Sequence, residues 1–174
     1  MIRKANSTDI DQVESGYLEL LRHEKENGAY TVWQEGVYPT RKTAETAFSD
    51  GSLYVMESGG EICASMIINQ QQPEEYVNIK WKCQAENSEV LVLHLLCVRP
   101  SKAGQGIGTA MVRFTVEEAR RRRCKAVRLD TGKQNIPAAA LYTKLGFEIA
   151  GSAPMTIGGK IAHNDHLFLE HSLL

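Results

Sequence analysis

Residues 90–123 read VLVLHLLCV-RPSKAGQG-IGTAMVRFTVEEARRRR: an apolar run, a glycine-rich turn and a long amphipathic segment. Val90 to Val98 is apolar except for His94, the pattern of a strand buried on both faces. Arg99-Pro100-Ser101 ends it, because proline lacks a ladder donor and restricts the residue before it. Gly104, Gly106 and Gly108 alternate through the turn. From Ile107 onward, Met111, Val112, Thr115, Val116 and Ala119 recur at helical spacing. Arg120 to Arg123 then complement the negative end of the helix dipole.

A helix start has backbone N–H groups without internal partners and a partial positive charge. Glycines let such a backbone approach an anion closely, so the turn suits a phosphate. A Walker loop needs Gly-Lys-Ser/Thr at its end, and Gly108-Thr109-Ala110 excludes it. A dinucleotide fingerprint needs G-x-G-x-x-G directly after the strand. Here its third position falls on Thr109, and Arg99 to Gly104 is a long lead-in. A downstream strand ending in an acid, Val127-Arg128-Leu129-Asp130, keeps that dinucleotide reading as the alternative.

The whole chain bounds these readings. Its 174 residues, 43% hydrophobic with a net charge of −1, predict one domain over residues 1–174. No charge excess points to nucleic acid or to a membrane. The N-terminal MIRKANSTDID carries no apolar leader. Cys63, Cys83, Cys97 and Cys124 are scattered, the usage of reduced thiols in a cytoplasmic protein. His163, His166 and His171 fit no ligand spacing, so no metal is expected and they read as surface or hairpin histidines. Arg120 to Lys125 reads as a solvated helix end.

Taken in order, Met1–Lys4 suggests a strand, and Ser7-Thr8-Asp9 caps a helix carrying Val13, Tyr17, Leu20 and Leu21 that Gly28 ends. An aromatic loop, Tyr30 to Pro39, precedes a helix over Thr40–Ser49. Leu53–Glu57 and Ile62–Asn69 form a hairpin about Ser58-Gly59-Gly60. Gln70 to Glu89 is polar but holds Tyr76, Ile79 and Trp81, so it is expected to be ordered without an assigned element. After the central helix come a strand Ala126–Thr131, a helix Asn135–Leu145, and strands Phe147–Ser152 and His166–His171. The order β-α-α-β-β-β-α-β-α-β-β predicts an α/β sheet of mixed direction.

Two segments resemble the GNAT superfamily of N-acetyltransferases. Ala103-Gly104-Gln105-Gly106-Ile107-Gly108 is similar to its acyl-CoA pyrophosphate loop, Arg/Gln-x-x-Gly-x-Gly/Ala, with Ala103 where the family has Arg or Gln. Asn135-Ile136-Pro137-Ala138-Ala139-Ala140-Leu141-Tyr142-Thr143-Lys144-Leu145-Gly146-Phe147 is similar to its N-x-x-A-x-x-L-Y-x-K-x-G-F. The two lie in register about one strand and cover the C-terminal half of the chain. The resemblance implies a mixed, mostly antiparallel central sheet flanked by helices, with splayed central strands.

It also implies transfer of an acetyl group from acetyl-CoA to a small primary amine by direct attack, without a metal. The strand Val90–Val98 would bulge and part from Ala126–Thr131. Leu96, Cys97 and Val98 would then offer backbone groups to pantetheine and an N–H to the thioester oxygen. Ala103, Gly104, Gln105, Gly106, Ile107, Gly108 and Thr109 would hold the pyrophosphate, with Asn135 and Lys144 also at CoA. One cation among Arg120–Lys125 would meet the 3′-phosphate. Tyr142 holds the family position of the general acid, and His94, interrupting a buried strand, is the candidate base, with Glu89 or water as alternatives. Trp33, Tyr38 and Arg41 would line the acceptor pocket, and a homodimer is compatible with the resemblance. The readings from other classes are a non-catalytic acyl-CoA-binding protein and a dinucleotide-binding oxidoreductase.

Overall fold

The computed structural model describes residues 1–174. Its elements are β1 (Ile2–Lys4), α1 (Ile10–Asn27), α2 (Arg41–Ser49), β2 (Leu53–Ser58), β3 (Glu61–Asn69), β4 (Val90–Val98), α3 (Ile107–Arg121), β5 (Ala126–Gly132), α4 (Ile136–Lys144), β6 (Glu148–Ile157) and β7 (Ile161–Ser172). The seven strands form one sheet in the order β1-β2-β3-β4-β5-β7-β6. Only β4 and β5 run parallel. This is the mixed α/β architecture expected, and it removes the dinucleotide reading, which needs a doubly wound parallel sheet.

Each face of the sheet is closed by the apolar stripe of two helices. Val13 and Tyr17 of α1 and Ala44 and Ala47 of α2 pack on Leu53, Val55, Ile62 and Ile67. On the other face Met111, Val112, Val116 and Ala119 of α3 pack on Ala64, Met66, Leu91 and Val127, with Tyr142 of α4 beside them. The expected elements are all present, with most boundaries within a residue or two. The last two strands differ more. β6 and β7 form a hairpin reaching Ile157 and Ile161, well past the expected Phe147–Ser152 and His166–His171. Gly151 and Pro154 hide it in the sequence, yet both lie where the β6–β7 register shifts, so the edge strand absorbs them as bulges.

The polar connection between β3 and β4 is ordered by one buried ion pair. Arg128 on β5 and Glu170 opposite it on β7 meet at 2.9 Å, with 5% and 4% of their side chains exposed. Arg128 also donates to the carbonyl of Cys83 and to Gln72 Oε1, both at 2.7 Å, and its guanidinium lies 4.4 Å from the centre of the Trp81 ring. Glu170 accepts the Cys83 N–H at 3.0 Å. Tyr76 and Ile79 of the same connection join Val90, Val92 and Phe168 in a third apolar cluster.

Removing one member of a buried pair strands the other charge. Arg128→Ala should therefore lower the unfolding free energy in urea by about 3–5 kcal/mol, and a loss below about 1 kcal/mol would show that Glu170 is solvated.

Candidate active site

The cavity begins where two strands stop pairing. β4 and β5 are bonded only at Val90–Ala126, Leu91–Val127 and Val92–Arg128. Leu93 packs with the α3 cluster and Leu95 with the α1 cluster, although residues two apart on a regular strand share a face. The cause is a bulge. The β3–β4 register shifts between Ser65 and Ile67, and Leu95 has a positive φ of 46°. Beyond it, the edge of β4 that faces β5 has no strand partner.

A cavity of about 560 Å³ fills the divergence. Leu96 and Val98 of β4, Gly108 of α3, and Pro137, Ala138 and Leu141 of α4 line its apolar end. Packing is close there: a Cβ added at Gly108 would sit 3.3 Å from Leu141 Cδ2. The other end is roofed by the α1–α2 loop and the tip of the β6–β7 hairpin. Gly158, with φ +59°, lies so close to the Tyr38 ring that a Cβ would run into it. Glu24 of α1 pins the loop by accepting from Thr31 N–H at 3.2 Å and Thr31 Oγ1 at 2.6 Å.

The titratable groups cluster at the roofed end. His94 Nε2 bonds Asn69 Oδ1 at 2.9 Å, and burial lowers its pKa from 6.5 to about 4. Asp130, on β5, accepts the Tyr76 hydroxyl at 2.7 Å, and burial raises its carboxyl from 3.8 to about 6. Burial and then the Asp130 charge push the Tyr142 phenol upward, so it keeps its proton through the neutral range. His166 of β7 stands with Nε2 3.7 Å from Asp130 Oδ1. The cavity lining includes the carboxylates of Glu24 and Asp130 and no lysine or arginine.

The expected residues separate into two groups. Tyr142, His94, Leu96, Val98, Gly108, Asn135, Trp33 and Tyr38 all line the cavity. Asn135 also caps α4, accepting the Ala138 N–H at 3.3 Å. Ala103, Gly104, Gln105 and Gly106 form an exposed turn leading into α3, with Gly104 and Gly106 at φ 77° and 74°; Ile107 enters the core and Thr109 is half-buried. Gly106 caps α3 without any side-chain bond, so the first helical N–H groups have no side-chain acceptor.

The Cys97 thiol packs against α1, 3.7 Å from the Gly16 carbonyl, and burial pushes it up to about 12, which leaves the backbone as the part of Cys97 at the unpaired edge. Other placements differ from the sequence reading. Lys144 is exposed on the last turn of α4 and Arg41 lies outside the cavity, held by Asp11, Glu14 and Glu45. Glu89 stands at the paired end of β4, bridged to Lys125 at 2.8 Å, so it cannot be the base. Arg120, Arg121 and Arg122 pair with Glu117 and Glu118 about 20 Å along α3 from the glycine turn, too far for the 3′-phosphate. His166 lies on the β6–β7 hairpin, one of the two places expected for it, but it is buried and lines the cavity. Glu24 is a lining residue that the sequence does not signal, and Asp130, marked in the sequence only as the acid of the dinucleotide alternative, lines the cavity as well. Asp130 lies on β5 two residues past its last pair with β4, a position that only the strand pairing reveals.

The profile of the acetyltransferase (GNAT) family matches residues 17–147. An uncharacterised N-acetyltransferase of Methanocaldococcus jannaschii is 38% identical over 68 residues, which span 39% of this chain and 30% of that protein. A 5-NmdU N-acetyltransferase of Pseudomonas phage PaMx11 is 29% identical over 118 residues, 68% of this chain and 70% of the phage protein. Among solved structures, a GNAT-family acetyltransferase of Streptococcus agalactiae superposes with a TM-score of 0.84 at 20% identity, covering 100% of this chain and 95% of that one.

The His94 ring should stay neutral down to about pH 4. Unfolded histidine takes its proton first, so this burial costs the fold stability as the pH falls from 6.5 toward 4. An NMR titration reads the midpoint directly; a value near 6.5 would mean a solvated ring.

Proposed function

The chain belongs to the acetyltransferase (GNAT) family, and from that premise we propose that residues 1–174 act as one catalytic domain. The reaction is transfer of the acetyl group of acetyl-CoA to a primary amine of a small, cationic molecule, by direct attack with both substrates bound. The observation that carries this reading is the cavity at the β4–β5 divergence, whose lining holds two carboxylates and no cationic side chain. Such a lining attracts an ammonium and disfavours an anionic acceptor.

Acetyl-CoA supplies an activated acyl carbon and a thiol leaving group. The chain's residues fit it at both ends. The turn from Ala103 to Gly106 and the opening N–H groups of Ile107, Gly108 and Thr109 suit the diphosphate, where α3 presents its positive end. The unpaired edge of β4 at Leu96, Cys97 and Val98 suits the pantetheine amides. A β4 N–H directed at the acyl oxygen stabilises developing negative charge, an effect of about 3–4 kcal/mol in other acyl-transfer enzymes. Holding donor and amine together supplies much of the remaining advantage.

Tyr142 enters from α4 with a proton that its burial holds in place, so it can donate to the departing sulfur. His94 is neutral and committed through Nε2 to Asn69, which makes its ring a fixed polar wall and a feeble proton acceptor. Trp33 and Tyr38 close the acceptor end, and Asn135 holds the start of α4 beside the donor.

The test is thiol release from acetyl-CoA across a panel of small amines, beside thermal-shift titrations with acetyl-CoA and NADH. Acetyl-CoA should raise Tm by several degrees, amine-dependent thiol should follow, and Tyr142→Phe should lower kcat about 10²-fold with little change in acetyl-CoA affinity. Binding without thiol release from any amine would replace this reading with a non-catalytic acyl-CoA-binding one. A shift with NADH alone would overturn the family chemistry altogether.

A further inference from the structure

Acetylating an ammonium leaves one proton over. The nitrogen of R–NH₃⁺ loses two protons as its C–N bond forms and the C–S bond breaks; one ends on the sulfur, and the other must leave the cavity. Asp130 and His166 lie under the roofed end of the cavity with 16% and 5% of their side chains exposed, so a proton released there is served by a route through side chains.

We propose that Asp130, His166 and His163 are that route: Asp130 docks the acceptor's ammonium and takes its proton, and the two histidines pass it to the surface. The proposal rests on the acetyl-transfer reading above. The three residues form a chain from inside to outside. Asp130 Oδ2 is occupied by the Tyr76 hydroxyl at 2.7 Å, while Oδ1 lies 3.7 Å from His166 Nε2. His166 Nδ1 lies 2.8 Å from His163 Nδ1, with the rings edge to face at 4.8 Å. His166 is 4% exposed, and His163 is half-buried near the hairpin tip.

The hydrogen bonds fix the direction. The Asp165 N–H donates to His163 Nδ1 at 3.4 Å, which assigns that nitrogen as an acceptor. His166 Nδ1 therefore carries the hydrogen and donates to it, and His166 Nε2 presents a lone pair to the cavity. Asp130 Oδ1 and His166 Nε2 are thus two acceptors facing one another at 3.7 Å, too far apart for a direct bond and suited to share an N–H of the ammonium. Once protonated, Asp130 is a donor and closes the 3.7 Å gap to His166 Nε2; the proton crosses, the Nδ1 hydrogen moves onto His163 Nδ1, the Nε2 hydrogen of His163 leaves to solvent, and the two rings regain their starting tautomers by proton exchange with water once product has left the cavity. One proton enters the route and one leaves.

The surroundings suit the task. Asp130 is faced by Tyr76 and Glu75 from the β3–β4 connection, Tyr38 from the α1–α2 loop, Tyr142 from α4 and His166 from β7. No fixed cation is among them. Burial places Asp130 at about 6, where a carboxylate both forms at neutral pH and accepts a proton usefully. His166, faced by His163, Asp165 and Glu75, is kept neutral by burial at about 4.

The test is the pH profile of kcat/KM for amine-dependent thiol release, with acetyl-CoA affinity measured separately by calorimetry. The wild type should lose activity below about pH 6, as Asp130 protonates. Asp130→Asn, which keeps an acceptor for Tyr76, should lower kcat about 10²-fold and abolish that acid limb. His166→Gln and His163→Ala should each lower kcat at unchanged acetyl-CoA affinity, and added imidazole should restore His163→Ala, whose site the solvent reaches. Melting curves establish that each variant folds; if Asp130→Asn does not, Asp130→Glu should shift the acid limb. A wild type that binds acetyl-CoA but acetylates no amine would refute the underlying reading. An active wild type whose acid limb survives Asp130→Asn, or whose rate is untouched by both histidine changes, would refute the route alone.

Discussion

Two central strands that cannot remain neighbours determine most of this molecule. Parallel pairing of β4 and β5 holds for three residue pairs and then fails, because the bulge at Leu95 reverses the side-chain alternation of β4 and turns it toward β3. In a continuous sheet the backbone groups of Leu93–Val98 would be spent on a ladder. Here they border a cavity while β3 still satisfies the opposite edge. The same divergence leaves the end of β5 without a strand on that side, so Asp130 faces the cavity. The residues that suit the donor and those that suit the acceptor thus have one structural origin.

A gap of this kind weakens a sheet, and the structure compensates with interactions that hold its borders. The Arg128–Glu170 pair fastens β5 to β7 and draws in the β3–β4 connection, which carries Tyr76 to Asp130. Arg99, just beyond the bulged strand, donates at 2.7 Å to the carbonyls of Ile62 and Gln12 and bonds Glu19 at 2.8 Å, fixing α1 to the strand ends. Glu24 then holds the loop that carries Trp33 and Tyr38 over the cavity. These charges stabilise geometry around the opening, which apolar packing alone would tend to close.

The sequence made the framework legible and left part of the site hidden, for identifiable reasons. Val90–Val98 and the helical stripe from Ile107 are dictated by periodicity, so the element order follows from local pattern. The glycine turn and the Tyr142 helix stand out because each is a contiguous motif. Asp130 and His166 lie 36 residues apart on neighbouring strands, and nothing local signals that they approach one another. Arg41 is an ordinary cation until three carboxylates claim it on the outer surface. Glu89 looked available because its strand was known, whereas its Lys125 partner becomes a neighbour only through the parallel pairing. The length of β6 was obscured by Gly151 and Pro154, whose effect depends on the strand lying at a sheet edge.

If the space opened by the β4–β5 divergence is the acetyl-transfer site, the thioester of bound acetyl-CoA must occupy it. A crystal structure of the protein with bound acetyl-CoA tests this most directly. The pantetheine arm should lie along the free edge of β4 at Leu96–Val98, the diphosphate at the turn entering α3, and the sulfur within hydrogen-bonding reach of the Tyr142 hydroxyl. A donor bound with its thioester outside this cavity, or with β4 and β5 zipped together along their length, would contradict it.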